Sequence, residues 1–259
     1  MINNKFKLKK WKCFWNEMGE KSDKYNEINR CKKNVQRDTD YIFNILEINH
    51  DSVVLDLCCG NGIITNKIAM ECKYIYGIDF SNRLIDRANK EAVELNIVNI
   101  SYLISEARHI PLDNESVDKI SCLTSFHYFP NHDYAIGVIN EMLRVLKSGG
   151  QILITDIPNK DSIGYFFWRL IRNNKKTNQK IKLLNLQPTL CWRKKFFIRV
   201  KLLFRKFTNE NVESDGWLWY RPSFFSKFNN DDIKKIVIDK AVSKNKLLNY
   251  RINIKIIKK

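Results

Sequence analysis

The chain has 259 residues, is 44% hydrophobic and 28% charged, and carries a net charge of +17. That is enough for one large α/β domain with an appended element, and the chain can bury a core and stay in solution. No apolar run approaches the ~20 residues that cross a bilayer, and the basic start "MINNKFKLKKWKCFW" is not followed by the apolar stretch of a cleaved signal peptide.

In chain order, residues 24–48 suggest a helix that enters the core through Tyr41, Ile42, Ile45 and Leu46. "SVVLDL" (52–57) is a short apolar run, read as a buried strand, and "GIITNKIAM" (62–70) is helical. "YIYGIDF" (74–80) is a strand ending in an acid. "SNRLIDRANKEAVELN" (81–96) is a helix with Ser81 as its N-cap. "ISYLISE" (100–106) and "VDKISCLTSF" (117–126) are the third and fourth strands. "HDYAIGVINEMLRVLK" (132–147) is a helix stopped by Ser-Gly-Gly, and "QILITDI" (151–157) is a fifth strand. After a long segment, "DIKKIVIDKAV" and "YRINIKIIKK" fit a last, antiparallel pair. Alternating buried strands and helices predict an α/β fold: a doubly wound, mainly parallel, Rossmann-like sheet of seven strands, with an antiparallel C-terminal strand and a helical insert.

The positive charge is confined to two places. Residues 1–12 carry five Lys and residues 162–207 carry thirteen Lys/Arg, neither with an acid. Removing these eighteen leaves 27 of the 45 basic residues against 28 acids, so the remainder is near neutral. Tryptophan follows the same division: Trp11 and Trp15 early, Trp168, Trp192, Trp217 and Trp219 late, none between. The expected organisation is a basic aromatic segment at 1–23, an α/β core at 24–157, a basic aromatic helical insert or lid at 158–222, and closing strands at 223–259. Seven cysteines (13, 31, 58, 59, 72, 122 and 191) include no C-x-x-C, which argues against a disulfide framework or a zinc site and for small buried thiols in a reducing cytoplasm. No metal site is expected.

Ligands bind such sheets beyond the carboxyl ends of the strands, at the point where strand order reverses. Those ends carry Asp56 through Gly62, Asp79, Glu106, and Thr124 through His127. The stretch "VVLDLCCGNG" (53–62), with Asp79 23 residues beyond Asp56, is close to a dinucleotide fingerprint. However, Thr65 stands where the third glycine belongs, and a pyrophosphate beside Asp56 would meet like charge. A ligand with a cationic end and a ribose end, such as S-adenosylmethionine (SAM), suits both acids.

The blocks "VVLDLCCGNG" (53–62), "YGIDFSNRLIDRA" (76–88), "SEARHIPLDNESVDKISCLTSFHYF" (105–129) and "INEMLRVLKSGGQILITD" (139–156) resemble the class I SAM-dependent methyltransferases. The resemblance is to the small-molecule methyltransferase-domain group that includes quinone-biosynthesis enzymes, and it covers about residues 25–157. It implies SAM as cofactor. Asp56, Gly60 and Gly62 would form its loop, Asp79 would bind the ribose hydroxyls, Phe80 would pack on the adenine, and Glu106 and Ala107 would sit at the adenine edge. Cys58 stands where the family often has Gly, which implies a tighter turn or a displaced ligand.

Methyl transfer needs alignment of acceptor, methyl and sulfur, and a base only where the acceptor must lose a proton. His127, just past the fourth strand, is the candidate base. His50, His109 and His132 read as solvated. The strand-four tail "TSFHYF" lacks the (Asp/Asn)-Pro-Pro-(Tyr/Phe) motif of many enzymes that methylate amino groups of bases, which lowers the expectation of nucleic acid. Residues 192–207, placed on a helix, put Trp192, Phe196, Phe197 and Phe204 on one side and most of the Lys/Arg on the other, the pattern of an interfacial helix or of a lid with a basic outer face. Two readings follow. One is a cytoplasmic methyltransferase acting on a small-molecule or lipid- or carrier-linked acceptor, with peripheral docking on an anionic membrane surface. The other is an RNA methyltransferase or binding module that uses the basic segments on phosphates.

Overall fold

The computed structural model describes residues 2–21, 32–162, 218–228, 231–240 and 251–259. The expectations placed on 163–217, including the interfacial helix at 192–207, lie outside the described residues.

The elements are α1 (Ile2–Lys21), α2 (Lys32–Leu46), β1 (Val53–Leu57), α3 (Ile63–Ala69), β2 (Tyr74–Asp79), α4 (Asn82–Glu94), β3 (Ile100–Ile104), β4 (Val117–Leu123), α5 (His132–Val145), β5 (Leu146–Pro158), α6 (Pro222–Ser226), β6 (Ile233–Lys240) and β7 (Arg251–Lys258). Seven strands form one sheet in the order β3-β2-β1-β4-β5-β7-β6. β1 to β5 run parallel, and β7 is antiparallel to both β5 and β6. The α/β expectation holds, with β7 as the reversed strand. Strand order turns back between β1 and β4, so a crevice opens at their carboxyl ends.

The central strands β1, β4 and β5 form because most of their residues are buried. Leu55, Leu57, Ile120, Ile152 and Ile154 sit in the cluster covered by α5 residues such as Val138 and Met142, while Val54, Ile75 and Leu153 pack with Ile42 and Leu46 of α2 and Ile68 of α3. Such burial contributes roughly 1.5–3 kcal/mol per large aliphatic side chain. α4 starts as expected, with Ser81 Oγ accepting from the Leu84 amide at 3.3 Å. Asn131 caps α5 in the same way, accepting from Tyr134 at 2.7 Å.

Several boundaries differ from the sequence expectation, and two have a clear local cause. β4 ends at Leu123 rather than 126, because Thr124 turns to φ 56° and Phe126–Tyr128 form a short 3-10 turn. α5 ends at Val145, because Leu146 already pairs with Val117 of β4. The segment 218–228 is tied into the core: Leu218 N–H donates to His127 O, Tyr220 N–H to Pro158 O, and the fully buried Tyr220 hydroxyl to Phe126 O.

Candidate functional site

At the carboxyl ends of β1, β2 and β4 lies a cavity whose wall includes Asp56, Cys58, Cys59, Gly60, Asp79, Phe80, Ser105, Ala107, Thr124, Ser125 and Tyr128. Of the sequence candidates it gathers Asp56, Cys58, Gly60, Asp79, Phe80 and Ala107. Gly62, Glu106 and His127 are not part of its lining.

Asp56 is buried, and both its oxygens are held: Thr65 Oγ1 donates to Oδ2 at 2.7 Å and Ser121 Oγ to Oδ1 at 2.8 Å. The second bond follows from register, since Asp56 pairs with Ser121 across β1 and β4. Thr65, which breaks the dinucleotide pattern, thus has its own task in orienting the acid. The two hydroxyl donors fix the orientation of a carboxylate that lines the cavity.

Asp79 is likewise buried, and its carboxylate accepts the amides of Gly60 at 3.0 Å and Ser81 at 2.9 Å. One side chain therefore ties the glycine turn to the start of α4. Burial pushes the Asp79 carboxyl up to about 6, against the amides of Ser81, Gly60 and Phe80, which lower it; the nearby Asp56 raises it further. Two buried carboxylates thus face one cavity.

The three positions of the turn have distinct reasons. Gly60 is left-handed at φ 59°, and a Cβ there would meet nothing within 4 Å, so its surface is open to a ligand's approach. Gly62 is left-handed too, but a Cβ there would run into the Tyr102 hydroxyl, which itself donates to Asn66 Oδ1 at 2.6 Å. Its glycine is required by packing of β3 against the turn rather than by a ligand. Cys58 also adopts φ 61°. The turn keeps the left-handed backbone that favours glycine, and cysteine carries the strain, of order 1 kcal/mol. At this position the cavity wall carries a thiol.

The thiols are not uniformly buried as expected. Cys72 and Cys122 are buried, Cys13 is exposed, and Cys58 and Cys59 line the cavity. Burial, with the Asp79 and Asp56 charges, pushes the Cys59 thiol well above its ordinary range, so it is held neutral. Among the described residues no cluster of three or more His, Cys, Asp or Glu could hold a metal ion.

His127 is fully buried with its ring 4.1 Å from that of Tyr128. Burial and then the Arg251 charge lower its pKa well below the usual imidazole value. It is Tyr128 that reaches the wall at this strand end. His132 is half-buried rather than fully solvated: it packs on Tyr220 and Phe224, with Nε2 3.1 Å from Trp219 O. His50 and His109 are exposed as expected.

The sequence reading missed the roof. α1 places Leu8, Trp11 and Trp15 on the cavity wall. Trp11 and Trp15 meet Tyr128 edge to face, with centroids at 4.6 Å and 5.4 Å. Phe129 and Tyr134 extend this wall. The signal was the early tryptophan pair, which composition marked without showing where it folds.

Residues 54–150 match the family model described as a methyltransferase domain. A methyltransferase of Schizosaccharomyces pombe is 30% identical over 117 residues, covering 45% of this chain and 43% of its own length. The demethylmenaquinone methyltransferase of Bacillus subtilis is 25% identical over 129 residues, covering 49% of this chain and 54% of its own. The chain spans about half the length of the curated relatives it matches. Among solved structures, phosphoethanolamine N-methyltransferase 1 of Haemonchus contortus superposes over 98% of this chain and 49% of its own, with a TM-score of 0.64 at 15% identity. The PH0226 protein of Pyrococcus horikoshii superposes over 94% and 99%, with a TM-score of 0.58 at 17% identity. These structures share the fold.

Proposed function

We propose that this chain, whose residues 54–150 match a methyltransferase-domain model and whose fold is shared with a solved N-methyltransferase, is a SAM-dependent methyltransferase that binds SAM and transfers its methyl group to a small-molecule acceptor. One observation carries the reading: two buried carboxylates, Asp56 and Asp79, face a cavity across the open left-handed Gly60. A pyrophosphate would meet like charge at Asp56; a ligand with a cationic end would not. Asp79 would accept ribose hydroxyls, Phe80 would pack on the adenine, and Ser105 and Ala107 would line the adenine edge. Glu106 lies off the wall, so the backbone of this loop is the better reader of the adenine amino group. When bound, SAM supplies an electrophilic methyl group on a sulfonium.

The rest is done by this chain's own walls. Leu8, Trp11, Trp15, Tyr128 and Phe129 make the acceptor side apolar and aromatic and exclude water from it. Such a wall suits an apolar acceptor with a flat ring. A demethylmenaquinone methyltransferase among the relatives agrees with an acceptor of that kind, including a lipid-linked one. The thirteen Lys/Arg of 162–207 would then dock the protein on an anionic membrane surface. No helix among the described residues is long and apolar enough to span a bilayer.

Calorimetry tests the core of the reading. SAM and S-adenosylhomocysteine (SAH) should bind the purified protein, NAD should not, and Asp56→Ala should weaken SAH. NAD binding without SAH binding would refute it. Labelled SAM incubated with a lipid extract and with RNA identifies the acceptor class by where the label goes. Co-sedimentation with anionic and neutral vesicles, at several salt concentrations, tests the docking; binding to neither vesicle, or to RNA alone, removes the membrane reading.

A further inference from the structure

A chain of hydrogen bonds joins the roof to the cofactor floor. Asn16 of α1 accepts the Ser81 hydroxyl on Oδ1 at 2.6 Å. The same Ser81 Oγ accepts the Leu84 amide, and the Ser81 amide donates to Asp79 Oδ1 at 2.9 Å. Asp79 Oδ2 takes the Gly60 amide. The path thus runs from α1 through the cap of α4 to the acid at the end of β2 and on to the glycine turn.

Around Asn16 the second half of α1 is pressed onto α4. A Cβ on Gly19 would lie 2.9 Å from Arg83 Cβ, Arg87 Nη1 donates to Gly19 O at 2.9 Å, and Arg83 pairs with Glu20 at 3.0 Å. The first half reaches the opposite side of the crevice, where Lys7 Nζ donates to Pro130 O and Trp11 meets Tyr128. α1 therefore bridges the crevice from the β2 side to the β4 side, roofing the point where strand order reverses.

We infer that Asn16 is a positioning residue: through Ser81 it keeps Asp79 ready for the cofactor, so that docking of α1 and binding of the cofactor reinforce each other. The inference rests on the proposal that the cavity binds SAM. Its physical basis is the Ser81 hydroxyl. Ser81 is fully buried, and Asn16 fixes where its proton points. Without that acceptor the hydroxyl must turn to another, and the carboxylate already bound to its own residue's amide is Asp79. A lone pair that would serve a ribose hydroxyl is then taken. Coupling of this kind is reciprocal, so cofactor binding tightens α1 and with it the wall formed by Trp11 and Trp15.

The test compares Asn16→Leu, which keeps bulk without the acceptor, Asn16→Ala, and Asn16→Asp, which keeps the acceptor oxygen. SAH affinity is read by calorimetry, and hydrogen exchange of the 2–21 amides is followed with and without SAH. Asn16→Leu and Asn16→Ala should each weaken SAH about fivefold, the equivalent of one hydrogen bond, and abolish the protection that SAH gives to α1. Asn16→Asp should retain most of both. If the Leu and Ala variants bind SAH like the parent, or if Asp is as impaired as Leu, the inference fails and Asn16 only holds the helix in place. If the parent protein itself does not bind SAH, the cofactor reading fails instead. Should Asn16→Leu not fold, the milder Asn16→Ala decides between the same outcomes.

Discussion

The floor and the roof of the cavity are built by opposite means. The floor is made by neighbours in one sheet: Asp56 beside Ser121 by register, and Asp79 at the end of the adjacent strand, reaching back to the Gly60 amide. Its donors and acceptors are matched to each other within the sheet and its turns, and the Asn16–Ser81 bond ties it to the roof. The roof is made of residues far apart in sequence, Trp11 and Trp15 against Tyr128, joined by aromatic packing. Matched polar groups in a fixed frame suit a constant ligand, whereas packed rings on a docked helix suit recognition of a particular acceptor. Under the proposed function, a cofactor side held by hydrogen bonds and an acceptor side held by packed rings share one cavity.

The largest expected effect falls on the floor. Gly62→Ala forces a methyl group into the Tyr102 hydroxyl and a left-handed backbone at φ 76°, and should cost about 3 kcal/mol or more of stability by urea unfolding. Adding Tyr102→Phe should recover part of this. If Gly62→Ala unfolds like the parent, the packing account of that glycine is wrong.

Next comes Asp79. Its folded pKa is raised, to about 6 from 3.8. The stability linked to it is therefore fully present below the unfolded value and lost as pH rises through about 6, a loss of roughly 3 kcal/mol. The difference in unfolding free energy between the parent and Asp79→Asn should follow that window. SAH affinity should move the opposite way and fall below about pH 6, as the carboxylate proposed to accept ribose hydroxyls is protonated. At neutral pH Asp79→Asn should weaken SAH by about 1–3 kcal/mol. A flat SAH affinity across that range would reassign Asp79 to holding the turn.

A smaller effect is expected at Cys58. Cys58→Gly relieves the left-handed strain and should stabilise the protein by up to about 1 kcal/mol, less the extra freedom glycine gives the unfolded chain. It should leave SAH affinity within about twofold. Destabilisation would mean that the thiol packs for more than the backbone costs. At the other extreme, His127 should show no titration through the neutral range by NMR, because burial and Arg251 hold it neutral. An imidazole titrating near neutrality there would return it to candidacy as a base.

The order of strands, the acids at the ends of β1 and β2, and the left-handed turn between them were legible in the residues themselves. Each is a local matter: alternation of apolar runs, a carboxylate closing a strand, glycines where the backbone turns left-handed. The same locality explains what was misread. In the sequence Gly62 reads with Gly60 as part of a ligand cradle, but its neighbour in the fold is Tyr102, forty residues away. His127 stands in the right place along the chain, yet the 3-10 turn after Thr124 buries it and brings Tyr128 to the wall instead. Trp11 and Trp15 were marked by their isolation from the other tryptophans, but nothing in "KLKKWKCFWNEMGEK" says that Asn16 meets Ser81 or that Gly19 meets Arg83. Those contacts cross more than sixty residues, and a side chain's partner at that distance is set by how the helices pack. The sequence by itself determined the frame and the cofactor floor, because hydrogen-bonded strands and tight turns are specified by their own residues. Only the tertiary structure decided what covers that floor, because an aromatic residue fits many surfaces and the fold alone selects which one it meets.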